Sequence, residues 1–366
     1  MFTTSDHEYM TLALRLAEKG LYTTTPNPRV GCVLVNHGKI IGQGAHLRAG
    51  EPHAEVIALR DAEQHFPDLI KDSDAYVTLE PCNHFGLTPP CANALIDAGV
   101  KRVVVAMQDP NPKVAGSGLA NLTNAGILVQ HGLMESQARA LNAGFISRMT
   151  QNRPFVRVKI AASLDGRTAL ANGESQWITG EPARLDVQHW RARSCALLTG
   201  IGTVMADDPQ LNVRHIQHAR QPLRVIVDSQ LSLSPEARIL DGGNTMVAYA
   251  VDAKGSAEAL LHKKITLLNI PGEDGQVCLK TLLNHLASLG INEVMVEAGQ
   301  TLNGALLAQH LVDEFLIYYA PVLLGSAARG MLGIPSLEHM EDRVQLKLMD
   351  VRQFGQDLRI IAQPDY

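Results

Sequence analysis

Pro52-His53-Ala54-Glu55, Glu80-Pro81-Cys82 and Pro89-Pro90-Cys91 are the three runs on which the reading of this 366-residue chain turns. One imidazole and two thiolates make three ligands of a tetrahedral zinc ion. A fourth position stays open for water, which is the count of a catalytic centre and not of a closed structural one. His53 and Cys91 each stand where a helix is expected to begin. A helix N-terminus favours the thiolate of Cys91 and holds both ligands in fixed directions. Eight residues, Asn83–Pro90, separate the two cysteines, so they are not a Cys-x-x-Cys pair. Singly, a histidine or a cysteine is an ordinary core or surface residue; the argument rests on their combination with Glu55.

Outward from these runs, turn signals and hydrophobic spacing predict an α/β layer. Ser5 and Glu8 fit a capping box at the head of a helix ending near Gly20. Val30–Val35 reads as a strand and Ile40–Gly44 as its hairpin partner, joined through Asn36-His37-Gly38-Lys39. A helix is expected over His53–Gln64, a strand over Ala75–Leu79, a helix over Cys91–Ala98 and a strand over Val103–Ala106. A polar helix from about Glu135 to Thr150 leads to Gln151-Asn152-Arg153-Pro154, where the domain boundary is placed, giving domains 1–150 and 151–366. The alternation then restarts: Phe155–Ala161, helix Pro182–Arg193, strands from Ala196, Leu223, Thr245 and Ile265, helix Leu279–Leu289, strand Glu293–Glu297, helix Thr301–Gln309 and strand Glu314–Ala320. Gln345–Gln353 and Asp357–Ala362 read as a closing antiparallel pair.

Glu55 lies two residues from His53 and is not a ligand in this scheme. It is positioned to take a proton from the activated water and hand it to a leaving amine, the logic of His-x-Glu followed by Pro-Cys in zinc deaminases. Composition narrows the substrate. Lys and Arg number 12 against 14 Asp and Glu in residues 1–150, and 20 against 23 in 151–366. Neither half is basic and aromatics are 4%, so a nucleic-acid partner is not expected. No apolar run reaches the ~18 residues of a membrane span, and the polar N-terminus resembles no signal peptide. The odd cysteine count (Cys32, Cys82, Cys91, Cys195, Cys278) fits a reducing cytoplasm. On residues alone two rivals stay open: a nucleic-acid base deaminase with an accessory domain, and a zinc-stabilised binding protein without turnover.

Thr25-Pro26-Asn27-Pro28-x-Val30-Gly31, His53-Ala54-Glu55, Leu79-Glu80-Pro81-Cys82, Gly86-x-Thr88-Pro89-Pro90-Cys91 and Asp109-Pro110-Asn111-Pro112 follow one another in this order. Together they resemble the bifunctional deaminase/reductases of riboflavin biosynthesis, whose own deaminase motif has the long Cys–Cys loop. The resemblance implies a cytidine-deaminase-like N-terminal domain with zinc on His53, Cys82 and Cys91 and Glu55 as the catalytic group. It also implies substrate contacts at Asn27, His84 and Asn111, whose donors and acceptors suit a pyrimidine edge. Leu87 stands where many relatives carry Lys or Arg.

The second half holds no strand–Gly-x-Gly-x-x-Gly–helix fingerprint and no Walker loop. From its residues alone it is an α/β domain whose Glu297-Ala298-Gly299-x-Thr301 turn can hold a phosphate at a helix start. Small residues end the strand at Ala161-Ala162-Ser163, where a flat ring can approach the backbone. The resemblance implies a dihydrofolate-reductase-like fold that uses NADPH. Ala161, Trp177, Thr203, Asp207 and the stretch Gly299, Gln300, Thr301, Leu302, Asn303, Gly304 and Ala305 then line the cofactor. Ser175, Arg191, Leu211, Arg214 and Glu297 meet the substrate, with the two arginines suited to a ribose phosphate. Lys159, near the strand end, is left outside this set. The implied reaction partner is a small phosphorylated pyrimidine, and the implied assembly is a homo-oligomer, dimer or tetramer.

Overall fold

The computed structural model describes residues 1–83, 90–112, 114–217 and 220–366, so His84 and Leu87 lie outside the described residues. The chain divides into two compact units, Met1–Asn152 and Arg153–Tyr366. Among the described residues no helix is long and apolar enough to cross a membrane.

In the first unit, β1 (Gly31–Asn36), β2 (Lys39–Ala45), β3 (Asp74–Val77), β4 (Arg102–Val105) and β5 (Leu128–His131) form a sheet ordered β2-β1-β3-β4-β5. Strand β1 pairs antiparallel with β2 and β3, and β3, β4 and β5 run parallel. All of β1 is buried, as a central strand covered on both faces requires. His37 and Gly38 both have positive φ, 48° and 74°, which the tight hairpin between β1 and β2 demands. Helices α1 (Thr4–Glu18), α2 (Ala54–His65), α3 (Cys91–Asp97), α4 (Ser117–Asn124), α5 (Glu135–Leu141) and α6 (Ala143–Gln151) complete the unit. Gly42 and Gly44 on β2 let α2 sit directly on the hairpin. A Cβ on Gly42 would come within 2.2 Å of the Ala58 carbonyl oxygen, and one on Gly44 within 2.0 Å of that of Ala54.

In the first unit three details depart from the sequence reading. The capping box of α1 is Thr3 with Asp6, not Ser5 with Glu8: Asp6 N–H donates to Thr3 Oγ1 at 3.1 Å and Thr3 N–H to Asp6 Oδ2 at 2.7 Å. Tertiary contacts choose between two similar local patterns, because Asp6 is buried and also receives Tyr76 Oη at 2.7 Å and Arg102 at 3.0 Å. The expected helix 135–150 is two helices broken at Asn142, whose side chain accepts from the Arg29 N–H at 2.8 Å and donates to the Arg29 carbonyl at 2.9 Å. Helix α4 and strand β5 were not expected. Helix α4 (SGLANLTN) is poor in strong helix formers and has no side-chain cap of its own.

The second unit contains β6 (Phe155–Ser163), β7 (Arg167–Ala169), β8 (Ala196–Gly200), β9 (Leu223–Val227), β10 (Thr245–Tyr249), β11 (Thr266–Asn269), β12 (Glu293–Val296), β13 (Glu314–Ala320), β14 (Arg329–Gly330), β15 (Gln345–Phe354) and β16 (Asp357–Asp365). Nine of them build one sheet, β11-β10-β9-β8-β12-β6-β13-β16-β15. Its first seven strands run parallel, and β16 and β15 close it antiparallel. A separate ribbon pairs β7 with β14. Helices α7 (Glu181–Arg193), α8 (Ile201–Asp207), α9 (Ala257–His262), α10 (Leu279–Ser288) and α11 (Gln300–Ala308) cover the sheet. Two buried clusters form the core, one including Val158, Leu198, Leu282 and Val296, the other including Leu197, Ile226, Met295 and Tyr318. The alternation of Leu197 and Leu198 between clusters follows the two-residue period of a strand buried on both faces.

Candidate active sites

The three ligand candidates of the first unit come together. His53 is the N-cap residue of α2 and makes no side-chain cap bond, which leaves its ring to point elsewhere. Cys91 opens α3 directly after Pro90. His53 Nδ1 lies 3.6 Å from Cys82 Sγ and 3.3 Å from Cys91 Sγ, and all three atoms fall within 4.8 Å of one another. The ligand-to-ligand edge of a tetrahedral zinc site with one nitrogen and one sulfur is ~3.5 Å, from bonds of about 2.0 and 2.3 Å. The donor set and its spacing therefore fit a zinc ion. The Cys91 N–H donates to Cys82 Sγ at 3.3 Å. The Cys82 thiol is held well below its ordinary value, chiefly by the Cys91 side chain hydrogen-bonded to it and also by His53.

Glu55 lies in the first turn of α2, is buried, and is pushed up to about 7 by that burial, with the Cys82 charge adding to the rise. It can thus hold or release a proton near neutrality. Asn27 stands beside this cluster through His46, a residue the sequence reading missed. His46 Nδ1 faces the Pro52 carbonyl at 3.1 Å, its Nε2 faces Asn27 Nδ2 at 3.0 Å, and its ring packs edge-on against His53 at 5.1 Å. A carbonyl can only accept, so Nδ1 carries the proton and Nε2 accepts from the Asn27 amide. Asn111 lies on the loop after β4, where its N–H donates to Asp109 Oδ1 at 2.8 Å.

The second unit carries a cleft of ≈ 1520 Å³ over the ends of β6, β8, β9 and β12. It is lined by all five predicted substrate positions, Ser175, Arg191, Leu211, Arg214 and Glu297. Of the predicted cofactor positions it brings together Ala161, Trp177, Thr203, Asp207, Gly299, Gln300, Thr301, Leu302 and Ala305. Asn303 and Gly304 do not line it. Asn303 is buried with its amide donating to the Ala298 and Met331 carbonyls, and Gly304 packs against Gly333, whose oxygen a Cβ would approach to 2.2 Å. A helix presents only part of its circumference to a ligand, so a continuous stretch cannot all face one cleft.

Glu297 is the electrostatic centre of the cleft. Arg191 grips it with two bonds, Nε to Oε1 at 2.6 Å and Nη2 to Oε2 at 3.0 Å, and Lys159 Nζ approaches Oε2 at 3.6 Å. Burial works to raise this carboxyl, but Arg191 and Lys159 outweigh it and leave it at about 2. Burial lowers Lys159, against the pull of Glu297. Ser175 Oγ donates to Asp207 Oδ1 at 3.3 Å, and Arg214 Nη1 to Asn212 Oδ1 at 2.9 Å. Trp177 is 68% exposed and carries the Arg184 guanidinium over its ring at 4.7 Å, so it is a cleft wall and not core. Lys159, Ser229 and Arg238 also line the cleft without being in the predicted set. For Lys159 a signal existed: a charge inside the otherwise apolar run Val158–Ala162 needs a buried partner.

Known proteins agree with both units. Residues 3–107 match the cytidine and deoxycytidylate deaminase zinc-binding region, and residues 154–360 match the RibD C-terminal domain. The chain is 50% identical to the riboflavin biosynthesis protein RibD of Escherichia coli over 96% of its length and 98% of that protein's. RibD of Aquifex aeolicus is 40% identical, with 97% of each chain covered. Among solved structures, RibD of Acinetobacter baumannii superposes with a TM-score of 0.90 at 48% identity, and 99% of each chain is covered. A Thermotoga maritima protein described as a diaminohydroxyphosphoribosylaminopyrimidine deaminase/5-amino-6-(5-phosphoribosylamino)uracil reductase gives 0.89 at 33%, again over 99% of each chain. With its cytidine-deaminase-like N-terminal domain and dihydrofolate-reductase-like C-terminal domain, the chain belongs to the RibD family of bifunctional deaminase/reductases of riboflavin biosynthesis.

Proposed function

We propose that the N-terminal domain hydrolytically deaminates a diaminopyrimidinone carrying a phosphoribosylamino group, and that the C-terminal domain reduces the ribosyl group of the product to ribityl phosphate. The domains are taken as 1–150 and 151–366. The observation that carries the first assignment is the convergence of His53, Cys82 and Cys91 with a buried Glu55 two residues from His53. These three side chains would hold zinc, which would supply the Lewis acidity that makes water nucleophilic at neutral pH. Glu55 accepts a proton at its carboxylate and delivers it to the departing amine, a cycle suited to a carboxyl that burial pushes upward. Asn27, His84 and Asn111 bind the pyrimidine edge.

In the reductase domain Ala161, Trp177, Thr203, Asp207 and the cleft-facing part of 299–305 would hold NADPH, which would supply the hydride for reduction of the ribosyl group. Gly299 N-caps α11, so free backbone N–H groups are available there for a phosphate. Arg191 and Glu297 orient one another, and Arg214, Ser175 and Leu211 complete the substrate wall. The five free thiols support a reducing cytoplasm as its compartment. The exposed Leu348, Met349 and Val351 on the edge strand β15 support self-association as a dimer or tetramer.

Mass spectrometry of the product mixture tests the reading. The purified chain with the diaminopyrimidinone substrate is expected to replace an amino by an oxo group without NADPH, and to add two hydrogens only with it. A folded, zinc-loaded chain that makes neither change overturns the substrate assignment.

A further inference from the structure

Cys82 and Cys91 are too far apart in sequence for one tight turn to fix their separation. Each is followed closely by an asparagine, Asn83 and Asn93. Both asparagines meet a third, Asn121 on α4, whose Nδ2 donates to Asn83 Oδ1 and to Asn93 Oδ1, each at 2.9 Å. An amide nitrogen has two N–H donors, and here each takes one thiol-bearing segment. Asn83 returns a bond to the same helix, its Nδ2 donating to the Ser117 carbonyl at 3.2 Å.

Helix α4 is itself fastened to the Cys82 segment. The buried carboxylate of Glu80, two residues before Cys82, accepts from Gly118 N–H at 2.8 Å and Leu119 N–H at 3.4 Å through Oε1. Its Oε2 accepts from Asp109 N–H at 3.1 Å and Gly116 N–H at 3.0 Å. Glu80 thereby caps a helix that has no side-chain cap of its own. A Cβ on Gly118 would lie 2.0 Å from the Pro81 oxygen, so α4 rests directly on the segment that carries Cys82.

We propose that Asn121 is a positioning residue of the metal site: by holding Asn83 and Asn93 on one amide nitrogen, it sets the separation of Cys82 and Cys91 that a two-residue spacer sets in a Cys-x-x-Cys pair. This rests on the zinc reading above. Side chains that fix ligands without touching the metal typically change metal affinity by about 10- to 100-fold when replaced.

The full-length, zinc-loaded chain is mixed with a chromogenic chelator and the rate of zinc transfer is followed, a readout that needs no turnover. Asn121→Asp keeps the size of the side chain and removes both N–H donors. Asn93→Ala removes one acceptor and leaves α4 intact. Zinc transfer about 10- to 100-fold faster in Asn121→Asp, and faster to a lesser degree in Asn93→Ala, is the expected result. Reductase activity of both variants should equal that of the parent chain. Adding Asn93→Ala to Asn121→Asp should accelerate transfer no further. Folded variants that release zinc within twofold of the parent rate, whatever their melting temperatures, overturn the role of Asn121. A parent chain that takes up no zinc overturns the metal reading beneath it.

Discussion

In the first unit three ligand atoms lie within 4.8 Å of one another; in the second the lining residues surround a cleft of ≈ 1520 Å³ and come from strand ends, helix starts and loops across the sheet. The two sites answer to different physical demands. A metal fixes both the identity of its donors and their separation to within tenths of an ångström. A dinucleotide-sized cleft needs a shape, a few small residues where a ring approaches, and one or two charges, and many side chains can supply a wall. The first site therefore depends on few atoms and fails abruptly. The second is distributed, apart from the Arg191–Glu297–Lys159 cluster, where its dependence is concentrated.

Three measurements bear on that contrast. Glu55→Gln is expected to lower deamination by about 10²- to 10⁴-fold with zinc retained and reduction of a deaminated substrate unchanged. Surviving deamination would remove Glu55 from the proton path. Arg191→Ala leaves Glu297 buried without its two-bond partner, with Lys159 Nζ at 3.6 Å. It is expected to cost the C-terminal unit about 3 kcal/mol, seen as a lower melting temperature, and to abolish reduction while deamination persists. Undiminished reduction would show that this cleft is as tolerant at its centre as along its walls.

The smallest effect is a pH dependence. Burial works to raise the Asp6 carboxyl, but bonds from Thr3, Tyr76 and Arg102 leave it at about 2, below its ordinary 3.8. A carboxylate lowered by folding adds stability that is complete above its unfolded value and is lost as pH falls through its folded one. Melting of the N-terminal unit, followed by circular dichroism, should therefore steepen between pH 3.8 and about 2. Asp6→Asn should lower the neutral-pH melting temperature and flatten that limb. An unchanged limb would assign the acid sensitivity to other groups.

What the sequence made legible follows the same division. The β1–β2 hairpin, α2 and the parallel strands of the second unit announce themselves through glycine turns and apolar runs. Helix α4 does not, because its N-terminal stabilisation comes from Glu80, 36 to 39 residues away in the chain. The break at Asn142 depends in the same way on Arg29. In the sites, His53, Cys82, Cys91 and Glu55 were readable because few chemistries use that combination. The residues expected at the cleft came only through family resemblance, which also named Asn303 and Gly304, two positions of α11 that do not line it. His46 and Asn121 gave no local sign, since each acts through partners distant in sequence.

Gly44 has no chemistry of its own, yet it sets how closely α2, which bears His53 and Glu55, lies on β2. The atom it lacks would press to 2.0 Å on the carbonyl of Ala54, the residue between His53 and Glu55. One added methyl group would have to push α2 outward, carrying His53 and Glu55 together, and a displacement of ~1 Å at reacting groups can cost about 10²-fold in rate. Anyone redesigning this pocket thus inherits a mechanical tolerance set by a hydrogen atom at the seam between β2 and α2.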